Sequence, residues 1–213
     1  KTLSIDQSSF KGKTIKNADF GGATLENADF SSVEFIGVRA NFKNCRFLGE
    51  RANFVGAKFT CSVTDFSSTI FTCNVDFTSS FFRTSLCFTE ATFAKIENSV
   101  TLFERARFFG EFAVFDDTEF RSGKKTSFKD AVFSNENDLE GLTSFCACHF
   151  ESERTDFSSV KFLSSTTSYS GAKFTKTTSN FKDSSAKNLD LVSCDLGSAE
   201  FNGFHVKGPW AVM

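Results

Sequence analysis

The feature that most constrains this chain is the regular spacing of its phenylalanines. The 213 residues include 31 Phe but only one Tyr and one Trp. Large apolar residues recur every five positions from Phe10 to Phe35, and farther along the chain the interval alternates between five and about seven. Two positions before nearly every one of them stands a small or short residue, such as Ala18 or Thr64. The repeat runs nearly end to end, so it predicts one elongated domain rather than two compact ones.

Each repeat unit predicts a very short β-strand. Around Phe20 and Phe30 the residue two positions earlier is apolar and the residue between is polar, which is the alternation of a strand. The alternation lasts only about three residues, so neither a 3.6-residue helical period nor the longer runs of a flat sheet fit it. We therefore expect a β-solenoid in which the Phe rings stack inside coils about 4.8 Å apart.

The repeat resembles the pentapeptide-repeat family, whose pattern is Ala, then Asp or Asn, then Leu or Phe, then two variable residues. Four triplets match as written, namely Ala18-Asp19-Phe20, Ala28-Asp29-Phe30, Ala40-Asn41-Phe42 and Ala52-Asn53-Phe54. The resemblance spans about residues 10 to 201 and implies an all-β fold, a right-handed quadrilateral β-helix, with about eight coils here. The predicted divisions are a degenerate N-terminal coil or cap over 1–15, the repeat helix over 16–203 and a C-terminal cap or interface tail over 204–213.

The departures from strict spacing predict loops at the corners of the coils. In the middle of the chain every second corner carries about two extra residues, as at 49–51, and two larger insertions occupy 95–100 and 134–142. Insertions in repeat proteins map to loops. We therefore expect these segments to bulge outward from the rod.

The polar position before each large apolar residue has its own order. In the first unit of a pair it is often Asp or Asn, as at Asp65 and Asp76, and in the second unit it is often Lys or Arg, as in the set Arg46, Lys58, Arg107, Lys161 and Lys173. Two interpretations remain open. The rod has an acidic surface beside a basic one, or both signs are interspersed for solubility.

Composition narrows the classes of partner and the compartment. The formal net charge is −2 and no block of one sign appears, so nothing indicates nucleic-acid binding, which needs a basic stripe. No stretch approaches the roughly 18 apolar residues of a membrane span. Three of the seven Cys (Cys45, Cys148 and Cys194) occupy small-residue positions, where a thiol acts as a small buried hydrophobe. Free thiols favour a reducing compartment such as the cytoplasm.

Signals for chemistry are poor, and we predict no catalytic residue, no cofactor and no metal site. The segment Cys146-Ala147-Cys148-His149 has metal-ligating residue types, but strand alternation directs Cys148 inward and His149 outward. No Gly-rich phosphate loop and no nucleophile elbow occur.

The tail after Gly203 holds the only Pro, Trp and Met of the chain. One interpretation is a lid that folds over the last coil, because the open ends of a solenoid need caps. The other is a partner interface, and the resemblance implies that some family members dimerise through this end. The candidate interface residues are Phe204, His205, Trp210, Val212 and Met213.

The leading functional hypothesis is a non-catalytic structural or protein-interaction scaffold, a rigid rod that binds partners of unknown identity through its outer faces or ends. The resemblance implies an alternative, a DNA mimic that binds the topoisomerase gyrase, although a net charge of −2 counts against it. A third hypothesis is a homodimer or a fibre subunit joined end to end. A fourth is the β-helix segment of a larger effector, since the chain begins at Lys1 rather than Met.

Overall fold

A computed structural model describes residues 10–135, 141–208 and 210–211, the last two by their backbone alone. The described residues form a four-sided β-solenoid of about eight coils, in which each strand pairs in parallel with the strands one coil before and after it. The four sheets hold nine, eight, seven and six strands. The predicted fold is confirmed. In these same ranges there is no helix long and apolar enough to cross a membrane.

We number the four faces of the rod in the order in which the chain visits them. The strands of face 1 are Thr14–Lys16, Glu34–Ile36, Lys58–Phe59, Phe81–Phe82, Arg107–Phe108, Val132–Phe133, Lys161–Phe162, Ser185–Ala186 and His205–Val206. The strands of face 2 are Arg39–Asn41, Val63–Asp65, Ser85–Cys87, Phe112–Val114, Leu142–Ser144, Thr166–Ser168, Leu189–Asp190 and Trp210–Ala211.

Face 3 lies opposite face 1, and face 4 lies opposite face 2. The strands of face 3 are Thr24–Glu26, Arg46–Leu48, Ile70–Phe71, Thr92–Phe93, Glu119–Phe120, His149–Phe150 and Lys173–Phe174. The strands of face 4 are Arg51–Asn53, Asn74–Asp76, Val100–Leu102, Lys125–Ser127, Arg154–Asp156 and Thr178–Asn180. Isolated bridges continue faces 2 and 4 at the N-terminal end and faces 3 and 4 at the C-terminal end.

Stacked aromatic rings fill the interior, as the spacing predicted. The Phe66 ring lies between those of Phe42 and Phe88, with centroids 4.6 Å apart on either side and planes within 3° of parallel. The rings of Phe54 and Phe77 meet it edge to face. Offset stacks and edge-to-face contacts are the favourable aromatic geometries, so the ladder is stabilised beyond its buried area.

The corners after faces 2 and 4 are tight two-residue turns. The Ala23 N–H donates to the Phe20 carbonyl oxygen over 2.8 Å, and Gly22 has φ +71°. A single positive φ at the third turn position is the signature of a type II turn. The extra residues fall at the corners after faces 1 and 3, where the sequence predicted outward loops. The larger insertions lie at the same two kinds of corner, although residues 136–140 are outside the described part of the chain.

The Asp and Asn residues that end strands of faces 2 and 4 hold these turns in place. The Asp29 carboxylate accepts a hydrogen bond from the Ser31 N–H at 2.9 Å, and Asp76 accepts one from the Thr78 N–H at the same distance. Short polar side chains that bond the backbone two residues ahead stabilise a turn. The acid-and-amide pattern of the sequence therefore has a structural role on these two faces.

Buried hydroxyls and thiols satisfy backbone carbonyls of the preceding coil. Thr69 Oγ1 donates to the Phe42 oxygen at 2.7 Å, and Cys45 Sγ lies 2.9 Å from the Phe20 oxygen. All seven thiols are free, and four of them are buried. Burial raises the pKa of Cys45 to about 11 and that of Cys73 to about 12. These thiols act as small core residues.

Candidate interaction surfaces

The interior leaves no room for a binding site along the middle of the rod. Neighbouring rings in the ladder stand as close as 4.3 Å, between Phe108 and Phe133. Cys148 is buried against the Phe115 carbonyl oxygen, whereas His149 points outward and bonds the Thr175 hydroxyl at 2.6 Å. Over the described ranges, no three His, Cys, Asp or Glu side chains converge as a metal site. Any function must therefore be performed from the outer faces or the ends.

Among the described residues, the C-terminal end of the solenoid forms an apolar mouth. Leucines replace phenylalanines in the last coil, so the ring ladder thins out and leaves a cavity of about 540 Å³. The Phe204 ring stands over it, 5.5 Å from the ring of Phe201. The lining residues are Leu189, Leu191, Leu196, Phe201, Phe204, Val206 and Gly208.

The structure gathers only part of the predicted C-terminal interface. Phe204 lines the cavity, but His205 starts the last strand of face 1 and is exposed beside Ser185. The backbone of Trp210 pairs with that of Leu189 on face 2, and only the backbone of Trp210 is described. Val212 and Met213 lie outside the described residues, as do residues 1–9 of the predicted N-terminal cap.

Face 1 carries more outward Lys and Arg residues than any other described face of the rod. We call it the cation face. At its outward strand positions and the residues that directly continue them, the described chain places only one acid, Glu34. On each of the other faces, carboxylates at equivalent positions outnumber Lys and Arg. The cations of face 1 are all exposed; they are Lys16, Lys58, Arg83, Arg107, Lys161, Lys187 and Lys207.

Several cations on the other faces of the rod form ion pairs with neighbouring carboxylates. On face 3 Arg121 lies 3.0 Å from Glu119, and Arg121, Lys95 and Lys176 lie within 3.7–3.9 Å of Glu151. On faces 2 and 4, Arg39 pairs with Asp65, and Arg51 pairs with Asp76. Among the ion pairs of the described chain, none uses Lys58, Arg107 or Lys161. The charges of Lys58, Arg107 and Lys161 are therefore available to a partner.

Exposed apolar side chains concentrate along one edge of the rod, where face 1 turns into face 2. Of the six exposed large hydrophobic residues in the described part of the chain, five border this edge, and the sixth, Ile96, lies at the corner between faces 3 and 4. We call the five the apolar edge; they are Val38, Val63, Phe112, Leu142 and Leu163. On face 1 itself, the outward rings of Phe81 and Phe109 meet edge to face at 5.7 Å. The sequence interpretation, in which every ring lies inside, is wrong for these two residues and for Phe112.

Part of the repeat matches a known protein family. A search of curated proteins finds no match. Among solved structures, a trypsin-treated variant of QnrB1, described as a plasmid-mediated fluoroquinolone resistance protein, is 18% identical over 96% of this chain and 90% of its own, with a TM-score of 0.33. HetL, a pentapeptide repeat protein involved in heterocyst differentiation regulation in the cyanobacterium Nostoc sp. strain PCC 7120, is 15% identical over 94% and 88%, with a TM-score of 0.21. The model for pentapeptide repeats matches eight copies over residues 14–49. Residues 14–49 therefore match the pentapeptide-repeat family, and the same strand-and-turn unit continues from there to the last coil.

Proposed function

We propose that this protein is a non-catalytic scaffold, a rigid rod that binds partner proteins through its outer surface. The observation that carries the proposal is the ring-filled interior. Phe42, Phe66 and Phe88 are fully buried and stacked at close-packed distances, so the rod has no internal pocket at this level for a small substrate.

The distribution of polar groups supports an external role. On faces 2 and 4 the outward Asp and Asn side chains are used to hold turns, as at Asp29 and Asp76. On the cation face, Lys58, Arg107 and Lys161 form no ion pair within the described chain, and they lie beside the exposed side chains of the apolar edge. Exposed apolar residues that cluster beside unpaired charge are typical of a protein interface.

Reconstitution of a partner complex tests the scaffold function. The tagged rod is expressed in its own cells, captured proteins are purified separately, and binding is remeasured with two purified components by calorimetry. We expect a binary complex with a dissociation constant in the micromolar range or tighter. Turnover of a small molecule by the purified rod, with no reconstituted complex, would refute the proposal.

Self-association through the C-terminal end is a second candidate, because the described residues around Phe204 and Leu196 line an apolar cavity of about 540 Å³. Sedimentation equilibrium should show a dimer or longer assembly that Leu196→Glu disrupts. The matched control is Leu48→Glu, which places the same charge on the outer surface of face 3. A monomer at all concentrations would exclude this candidate.

The DNA-mimic alternative requires a strongly negative rod. The exposed cations of face 1, among them Lys58, Arg107 and Lys161, count against it. A gyrase supercoiling assay that stays unchanged at micromolar protein would dispose of this alternative.

A further inference from the structure

We propose that the cation face and the adjoining apolar edge form one docking surface, and that its occupant is an acidic amphipathic segment of a partner protein. The inference rests on the proposed scaffold function and names the surface and the chemistry of the partner. The occupant is a separate protein segment, because cations and apolar side chains lie side by side along the rod. Such a surface fits a segment that carries both carboxylates and apolar side chains.

Charge complementarity is the first step. In one column of face 1, Lys58, Arg107 and Lys161 stand two coils apart, which is about 10 Å at the sheet spacing. Their side chains are exposed and none forms an ion pair within the described chain. The spacing is close to the Debye length at physiological salt, so the charges act jointly on a bound anion. A segment rich in Asp and Glu is complementary to them.

Apolar residues alternate with these cations and make the surface amphipathic. Phe81 lies between Lys58 and Arg107 in the column, and Val132 lies between Arg107 and Lys161. Next to them Leu163 is 44% exposed and Val38 is 69% exposed on the apolar edge. Burying such side chains contributes about 25 cal/mol per Å² of apolar area. The occupant therefore needs apolar side chains beside its carboxylates.

The apolar chemistry favours a protein over a nucleic acid. Single-stranded nucleic acids bind where bases stack on open aromatic faces. Here the rings of Phe81 and Phe109 meet at 80°, with the edge of one against the face of the other, and apart from Phe112 the apolar edge is aliphatic. Aliphatic residues such as Leu142 and Leu163 pack against apolar side chains but offer no surface on which a base can stack.

The length of the apolar edge sets the length of the partner segment. From Val38 to Leu163 the edge crosses five coil steps, about 24 Å. A helix of about 16 residues spans that distance. The probe is therefore a fluorescent 16-residue peptide with Leu and Phe at three- and four-residue spacing and Asp and Glu on both flanks. The comparison peptide carries Lys and Arg in place of the acids.

Fluorescence anisotropy measures binding of each peptide to the full chain. We expect the acidic peptide to bind at least about 10-fold more tightly than the basic one, and to weaken as salt rises. The double variant Arg107→Glu with Lys161→Glu should weaken the acidic peptide by at least about 10-fold. The matched control, Arg46→Glu with Lys173→Glu, reverses exposed cations at the same strand position on face 3 and should change binding by less than about 2-fold.

A second pair of variants tests the apolar contribution. Phe109→Ser with Leu163→Ser should weaken the acidic peptide by at least about 10-fold, since both side chains would contact it. Leu48→Ser with Ile70→Ser makes the same kind of change on face 3 and should leave affinity nearly unchanged. Circular dichroism checks that all variants fold.

Several outcomes would overturn the proposal. An equal loss of peptide affinity from the charge reversals on face 1 and on face 3 would mean that the acidic peptide is attracted to any exposed cation. Tighter binding of a 20-residue oligothymidylate, or of phosphatidylserine vesicles, would assign the surface to a nucleic acid or a membrane. A reconstituted partner complex that is insensitive to the face 1 variants would refute this surface but leave the scaffold function intact.

Discussion

Replacing Asp65 with Ala should destabilise the rod by about 2 kcal/mol, although this carboxylate ends a strand on the outer surface. Its Oδ1 accepts hydrogen bonds from the Ser67 N–H at 3.0 Å and from the Ser67 hydroxyl at 2.6 Å, and its Oδ2 accepts one from Arg39 at 2.8 Å. Hydrogen bonds to charged groups contribute roughly 1.5–3 kcal/mol. Arg39 is half-exposed, so its ion pair contributes only about 0.5 kcal/mol. The bonds to the turn therefore account for most of the loss.

Two further substitutions separate these contributions. Asp65→Asn keeps an acceptor for the turn, as Asn41 does for the Lys43 N–H at 3.1 Å, and should cost about 0.5–1 kcal/mol. Arg39→Ala should cost about 0.5 kcal/mol. Urea unfolding followed by far-ultraviolet circular dichroism gives all three values against the same m-value. A loss for Asp65→Ala no larger than for Arg39→Ala would show that the turn bonds do not stabilise the fold.

The same carboxylate gives the stability a pH dependence of known sign. Burial alone would raise the pKa of Asp65, but the hydrogen bonds from Ser67 and the pairing with Arg39 outweigh burial and lower it. A carboxyl with a depressed folded pKa stabilises the protein above its unfolded pKa of about 3.9, and this stabilisation is lost as pH falls through the folded value. The stability difference between wild type and Asp65→Ala should therefore stay constant from about pH 7 to 5 and shrink below about pH 4. A difference that grows on acidification would contradict this account.

Three other predictions follow from the packing. Phe66→Ala should lower the free energy of unfolding in urea by about 3–5 kcal/mol, because Phe66 is fully buried among other rings. Phe112→Ala should lower it by less than about 1 kcal/mol, because Phe112 is exposed. Equal losses would refute the assignment of Phe66 to the interior. Gly110→Ala should cost at least about 2 kcal/mol by thermal unfolding, since its Cβ would collide with the Thr84 carbonyl oxygen. At pH 8 iodoacetamide should label Cys87 in the native state but spare Cys73, because burial raises the pKa of Cys73 to about 12. Mass spectrometry of the digested protein measures the labelled fraction of each cysteine.

The inward half of the fold could be predicted from the sequence because two local rules determine it. A small residue two positions before each Phe follows strand alternation, and intervals of five to seven leave room only for a short strand and a corner. Ala52, Thr69 and Val160 are accordingly buried. The rule fails where two Phe are adjacent, as at Phe81-Phe82, because spacing alone does not say which ring points inward.

The outward half could not be read from the sequence in the same way. Lys58, Arg107 and Lys161 look equivalent to Arg46 and Lys173, since all stand before a large apolar residue. Their separation onto opposite faces depends on which side of a four-sided coil each unit occupies, and thus on every corner between them. The acids of faces 2 and 4 were equally ambiguous, because a side chain that holds a turn and one that contacts a partner have the same sequence signature.

In a solenoid, a small excess of one residue type on the same face of each coil produces a continuous surface of that type. A net charge of −2 indicates no attraction for anions when it is averaged over the molecule, yet seven cations and one acid share one face. Parallel pairing in register places the outward side chains of successive coils in columns at a fixed step of about 4.8 Å, so their positions are set before a partner binds. A preorganised surface loses little conformational entropy on binding, and most of the ordering cost falls on the partner segment. For a rod with a filled interior, the arrangement of side chains on each face, rather than overall composition, determines what it binds.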